Sequence, residues 1–78
     1  MRLRALRDAE RERRDETRSL LLDMEARYKD LQGVAGERVA AYARSVWFDL
    51  VRTRAEMAYL QAHLADLDRL LGPEGPGR

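Results

Sequence analysis

The sequence predicts an all-α protein, an antiparallel helical hairpin of the coiled-coil kind that is expected to dimerise into a four-helix arrangement. Three observations lead there. Ala, Leu, Glu and Arg dominate a chain in which 37% of residues are charged and both prolines fall near the end, the composition of long helices. The interior is interrupted once, at Gln32-Gly33-Val34-Ala35-Gly36. Beyond the interruption, apolar residues recur at alternating spacings of four and three, the period of a coiled-coil seam.

The first helix is predicted over about Arg2 to Gln32. Its second half carries a stripe of Thr17, Leu21, Met24, Tyr28 and Leu31, continued at Ala35. Its first half differs: between Arg7 and Ser19 only Ala9 is apolar. Helicity there rests on side-chain pairs one turn apart, such as Arg4 with Asp8, Glu10 with Arg14 and Arg11 with Asp15, which support a helix without burying it.

The turn is predicted at residues 33–36, because each glycine inside a helix costs roughly 1 kcal/mol relative to alanine. Gly33 suits the left-handed position after a helix end, Val34 is expected to fold back on Tyr28, and Glu37 opens the next helix with a carboxylate at its positive end.

The second helix, about Glu37 to Leu71, holds the clearest signal: Val39, Ala43, Val46, Leu50, Thr53, Met57, Leu60, Leu64, Leu67 and Leu71 form an unbroken seam. Trp47, Val51, Ala55, Ala58 and Ala62 add a flanking stripe, with Phe48 just beyond it. The two seams are out of phase by one residue across the glycines, which a straight continuous helix would convert into a rotation of about 100°. A bend removes that conflict, and one long helix in an oligomer is the alternative. Residues 1–71 thus make one helical-hairpin domain, and the Gly- and Pro-rich segment 72–78 is expected to be a disordered tail.

Charge favours the antiparallel arrangement. Met1 to Arg18 holds seven arginines against five acids, whereas Glu56 to Arg69 holds three acids against one arginine. Near the turn the signs reverse, with Asp23, Glu25 and Asp30 expected close to Arg38 and Arg44. A tight hairpin would set Leu31 near Glu37, Leu21 near Trp47 and Thr17 near Val51. The core is then expected to contain Leu21, Met24, Tyr28, Leu31, Val46, Trp47 and Leu50. The far end looks mismatched, since Met57, Leu60 and Leu64 face a stretch offering Arg7, Glu10, Arg11 and Arg14. Burying one leucine is worth about 1.5 to 3 kcal/mol, so Met57, Leu60, Leu64, Leu67 and Leu71, together with Phe48, are expected to be covered by a partner.

No catalytic, cofactor-binding or metal-binding residues are predicted, and the chain is not expected to be an enzyme. It has no cysteine, so neither a disulfide nor a thiolate site is available. Its single histidine, His63, has only Glu56 and Asp66 nearby on the same helix, and a metal needs three or four convergent donors. Ser19 and Ser45 sit at unrelated helical positions and form no activated nucleophile with it. No apolar run approaches the ~20 residues a membrane span requires, and no apolar segment of a secretory leader follows Met1 to Leu6. A cytoplasmic location without membrane attachment is expected.

A net charge of +1 gives no global pull towards nucleic acid, although fourteen arginines stand against one lysine. Arg2, Arg4, Arg7, Arg11, Arg13, Arg14 and Arg18 would be the phosphate-binding set of a small nucleic-acid-binding regulator, the alternative reading. Asp8, Glu10, Glu12, Asp15 and Glu16 interleave with them and cancel much of their field. The favoured reading is a non-enzymatic protein-protein interaction module, an adaptor or regulatory subunit that self-associates or binds a partner helix through the seam of its second helix.

Overall fold

The computed structural model describes residues 2–72 and consists of two helices, α1 (Arg2–Gln32) and α2 (Glu37–Leu71). Met1 and residues 73–78, which include most of the segment expected to be a tail, lie outside the described residues. The helices fold back on each other as a hairpin about 14 by 17 Å in cross-section, so the alternative of one continuous helix does not describe the chain.

The turn is built differently from the expectation. Gly33 does not enter the left-handed region. Helix α1 instead tightens at its end, with the Gly33 and Val34 amides donating to the carbonyls of Asp30 (3.4 Å) and Leu31 (3.2 Å), which satisfies two of its terminal carbonyls. Val34 is exposed rather than folded on Tyr28. The unusual backbone is at Gly36, where φ is 128° and ψ 146°; its carbonyl accepts from the Ala40 amide at 2.9 Å and so opens α2. At the far end Gly72, with φ 73°, donates its amide to Asp68 O at 3.0 Å and closes α2.

The hairpin register follows from its flanks. Arg11 pairs with Asp68 at 3.6 Å and Arg54 with Glu25 at 3.0 Å on one side, and Arg13 pairs with Glu56 at 2.8 Å on the other. The seam lies midway between these flanks. That position sets Leu31 level with Ala43, Tyr28 with Val46, Met24 with Leu50, Leu21 with Thr53 and Thr17 with Met57, then Arg14 with Leu60, Glu10 with Leu64, Arg7 with Leu67 and Leu3 with Leu71. Leu21 is therefore level with Thr53 and not with Trp47, and Glu25 meets Arg54 where Arg38 and Arg44 had been expected.

The physical reason is coverage. Sliding α2 back by one heptad would also match seam to seam, but it would leave Leu67 and Leu71 beyond the start of α1 and forfeit about 1.5 to 3 kcal/mol for each leucine. The observed register needs α2 to begin roughly 8 Å past the end of α1, and four linking residues reach up to ~13 Å.

The core accordingly runs the length of α2. Val46, Leu50, Thr53, Met57, Leu60, Leu64 and Leu67 are all buried, with Leu60 0% and Leu67 3% exposed. This overturns the expected mismatch, because the distal leucines are already shielded within one chain. The cover comes from residues that are polar by type and seam-forming by position. Arg7 is only 7% exposed, Thr17 is buried, and Glu10 and Arg14 are partly buried. The hydrocarbon stems of such side chains lie along apolar surface; Arg14 keeps part of its head in solvent, whereas the Arg7 head is itself enclosed, its Nε 3.5 Å from Asp8. Thr53 resolves its own burial by donating to the Asp49 carbonyl at 2.7 Å, with Met24 Sδ at 3.4 Å.

These features set two expected outcomes, both read by denaturant unfolding. Gly36→Ala will lose about 1 to 2 kcal/mol because a Cβ is strained at φ 128°, whereas Gly33→Ala will gain up to about 1 kcal/mol by restricting the unfolded chain. Leu60→Ala will lose about 2 to 5 kcal/mol, while Arg14→Leu, placing an apolar side chain level with Leu60, will raise stability by about 1 kcal/mol.

Candidate functional site

A two-helix rod has one internal interface, so each helix keeps a face with no intramolecular partner. The outer face of α1 is mostly charged, with Glu12, Asp15, Glu16, Asp23 and Lys29 exposed on it around the exposed Leu22. The outer face of α2 is not. Phe48, Val51, Ala55, Ala58, Ala62 and Ala65 are all exposed and recur at spacings of three and four, the same period as the buried seam but rotated by roughly 150° around the helix. No charged residue interrupts this outer seam for about 26 Å, and Arg44 and Arg69 bound it at its two ends.

The aromatic side chains decorate this face. Phe48 is 65% exposed, and Tyr59 is exposed on the adjoining flank. Trp47, expected in the core, instead stands at its rim and is 40% exposed. It follows Val46 by one residue and so points about 100° away from the seam, with one ring face packed near Tyr28 at a centroid distance of 5.4 Å and the Arg54 guanidinium 5.9 Å from its centroid. Trp47, Val51 and Phe48 thereby form a continuous apolar arc at the turn-proximal end of α2.

The other residues expected at a site are placed as follows. Phe48 is on the surface, whereas Met57, Leu60, Leu64 and Leu67 are buried inside the hairpin and Leu71 is half-buried, so only the first of these six is presented to a partner. Val46 and Leu50 are buried, and Leu21, Met24, Tyr28 and Leu31 are half-buried. Sequence reasoning named Val51, Ala55, Ala58 and Ala62 as a flanking stripe but did not join them to Phe48 and Ala65. Counting three and four onward from Phe48 would have done so.

His63 has a partner that sequence spacing did not suggest. Its Nδ1 lies 3.3 Å from Glu10 Oε2 across the hairpin, and its ring packs near Tyr59 with centroids 5.6 Å apart. Among the described residues no group of three or more His, Asp or Glu side chains is arranged to hold a metal ion. Nor is any helix there long and apolar enough to cross a membrane.

Four arginines of α1 are engaged with acids, Arg7 with Asp8 among them. Arg11 pairs with Asp68, Arg13 with Glu56, Arg14 with Asp15 at 3.2 Å, and Arg7 is buried. The hydrogen bond from Arg13 to Glu56, with the charge of that carboxylate, holds the Arg13 guanidinium above its ordinary pKa. These pairings leave α1 a weaker phosphate-binding surface than its arginine count suggests.

No known protein family, characterised protein or solved structure matches this chain. Because the side chains on the outer face of α2 contribute little to the hairpin itself, Phe48→Ala is expected to change unfolding stability by less than about 0.5 kcal/mol, in contrast to Leu60→Ala. Parallel thermal melts of the two variants check the division of α2 into a structural and a presenting face.

Proposed function

We propose that the protein is a non-enzymatic interaction module, an adaptor or regulatory subunit whose outer α2 face receives another helix. The observation that carries this reading is the second heptad seam of Phe48, Val51, Ala55, Ala58, Ala62 and Ala65, uncharged along its length and exposed at every position. Alanines let two helix axes approach closely, and Trp47, Phe48 and Val51 supply the large apolar side chains that usually dominate the energy of such contacts. The buried seam acts as scaffold. It buries Leu50, Leu60, Leu64 and Leu67, which would otherwise compete for partners.

Two hairpins joined in this way would make a four-helix arrangement with both α2 helices at its centre. A foreign amphipathic helix on the same face would serve the same chemistry. In either case specificity comes from the flanks, where Arg52, Arg54, Asp66 and Asp68 border the seam.

The test is position-resolved photo-crosslinking of the full chain in its own cells. A photoreactive residue at Ala58 is expected to give defined covalent adducts, of the chain with itself or with another protein. The same residue at Ser19, on the outer face of α1, is expected to give few. Equal labelling from both faces, or none at Ala58, would refute the reading.

A further inference from the structure

Resting on that reading, we infer that the occupant of the outer α2 face is a second copy of this chain, docked antiparallel about a two-fold axis between Ala55 and Ala58. The first argument is volume. With the axis there, the outer seam pairs Phe48 with Ala65 of the other copy, Val51 with Ala62, and Ala55 with Ala58. Every large side chain meets a small one, and each such layer occurs twice. A parallel copy would set Phe48 against Phe48 and Val51 against Val51 at one end and leave only alanine layers at the other. The helices would then splay where they are bulky and gape where they are not.

The second argument is charge, and the hairpin itself supplies the rule. In α1·α2 the residues that follow the seam pair with each other across the interface, as Arg11 does with Asp68 and Glu25 with Arg54. The same rule applied to the outer seam brings Arg52 to Asp66 of the other copy, twice by symmetry, and sets Tyr59 beside its own counterpart at the axis. Among the described residues, Arg52 is held by Asp49 one turn away at 3.5 Å, and Asp66 by Arg69 one turn away. All four side chains are exposed enough to share a second partner. Arg54, which would face itself across the axis, is neutralised by Glu25 at 3.0 Å. Arg44 and Arg69 come level with each other only at the ends, where solvent screens them.

The resulting assembly is a layered one, in the order α1, α2, α2′, α1′, because the outer seam lies nearly opposite the inner one. It differs from a square bundle in leaving the charged faces of both α1 helices outermost.

The experiment uses the full chain, whose lack of cysteine allows single spin labels without background. Sedimentation equilibrium is expected to show a reversible dimer. Labels at Ala41, near the start of α2, are expected to lie about 46 Å apart in it, from ~1.5 Å of rise per residue, whereas a parallel pair would hold them within about 20 Å. Arg52→Glu and Asp66→Arg are each expected to weaken dimerisation by about tenfold, and the combination to restore it, with helicity by circular dichroism unchanged throughout. A chain that stays monomeric, a short Ala41 distance, or a double variant no tighter than the single ones would each overturn the antiparallel dimer. If the chain is monomeric yet Ala58 still crosslinks a different protein, this inference fails while the interaction-module reading stands. If neither is seen, both fail.

Discussion

The register of α1 on α2 is the constraint on which everything else in this molecule depends. Two helices with matching heptad seams can pair in several registers one heptad apart; sliding α2 back strips its last leucines of cover, and sliding it forward would ask the four-residue turn to span about 18 Å, more than the ~13 Å it reaches. It is held at the flanks by Arg11 with Asp68, Arg13 with Glu56 and Arg54 with Glu25. Exposed ion pairs are worth at most about 1 kcal/mol each, so they choose among registers that apolar burial has already made favourable. The turn then has to accommodate the choice, and Gly36 supplies a backbone conformation that other residues resist.

This register also explains how a helix whose only apolar residue between Arg7 and Ser19 is Ala9 can close a leucine-rich core. Arg7, Glu10 and Arg14 occupy seam positions, and their methylene groups serve as the opposing wall for Leu67, Leu64 and Leu60. The arrangement is serviceable but not optimal, since a leucine at any of those positions would bury more apolar area. A polar half-seam of this kind discourages α1 from pairing with other apolar seams. It leaves an uncharged apolar seam from Phe48 to Ala65 on the outside of α2, whereas the exposed leucines of α1, Leu3, Leu6, Leu20 and Leu22, have charged residues such as Arg18 and Asp23 among them. The molecule is thus two-faced along that stretch of about 26 Å, and the apolar face is the one on which an interaction function is proposed.

Several of these features were legible in the residues. The alternating spacing from Val39 to Leu71 picks out the face that is buried, and the glycine pair picks out where the chain reverses. Other features were hidden for identifiable reasons. Arg7, Glu10 and Arg14 look solvated because polarity is a property of a side chain's tip, whereas their cover is provided by the stem. Trp47 looks like core by size, but its position one residue past Val46 sends it to the rim. The seam from Phe48 to Ala65 is diluted by alanine, which is apolar without being conspicuous, and only its common exposure makes it read as a surface.

Periodicity, glycine placement and charge asymmetry are local properties of the chain, and for that reason the sequence by itself determined the all-helical class, the position of the break and the buried stripe of α2, while the choice of a hairpin over one long helix was made only in the tertiary structure. The register, the shielding of Leu60, Leu64 and Leu67, the pairing of His63 with Glu10 and the identity of the exposed face were decided only in the tertiary structure. Each depends on how far one helix slides along the other. That distance is set by the total area buried over nine layers at once, a sum that no single stretch of sequence contains.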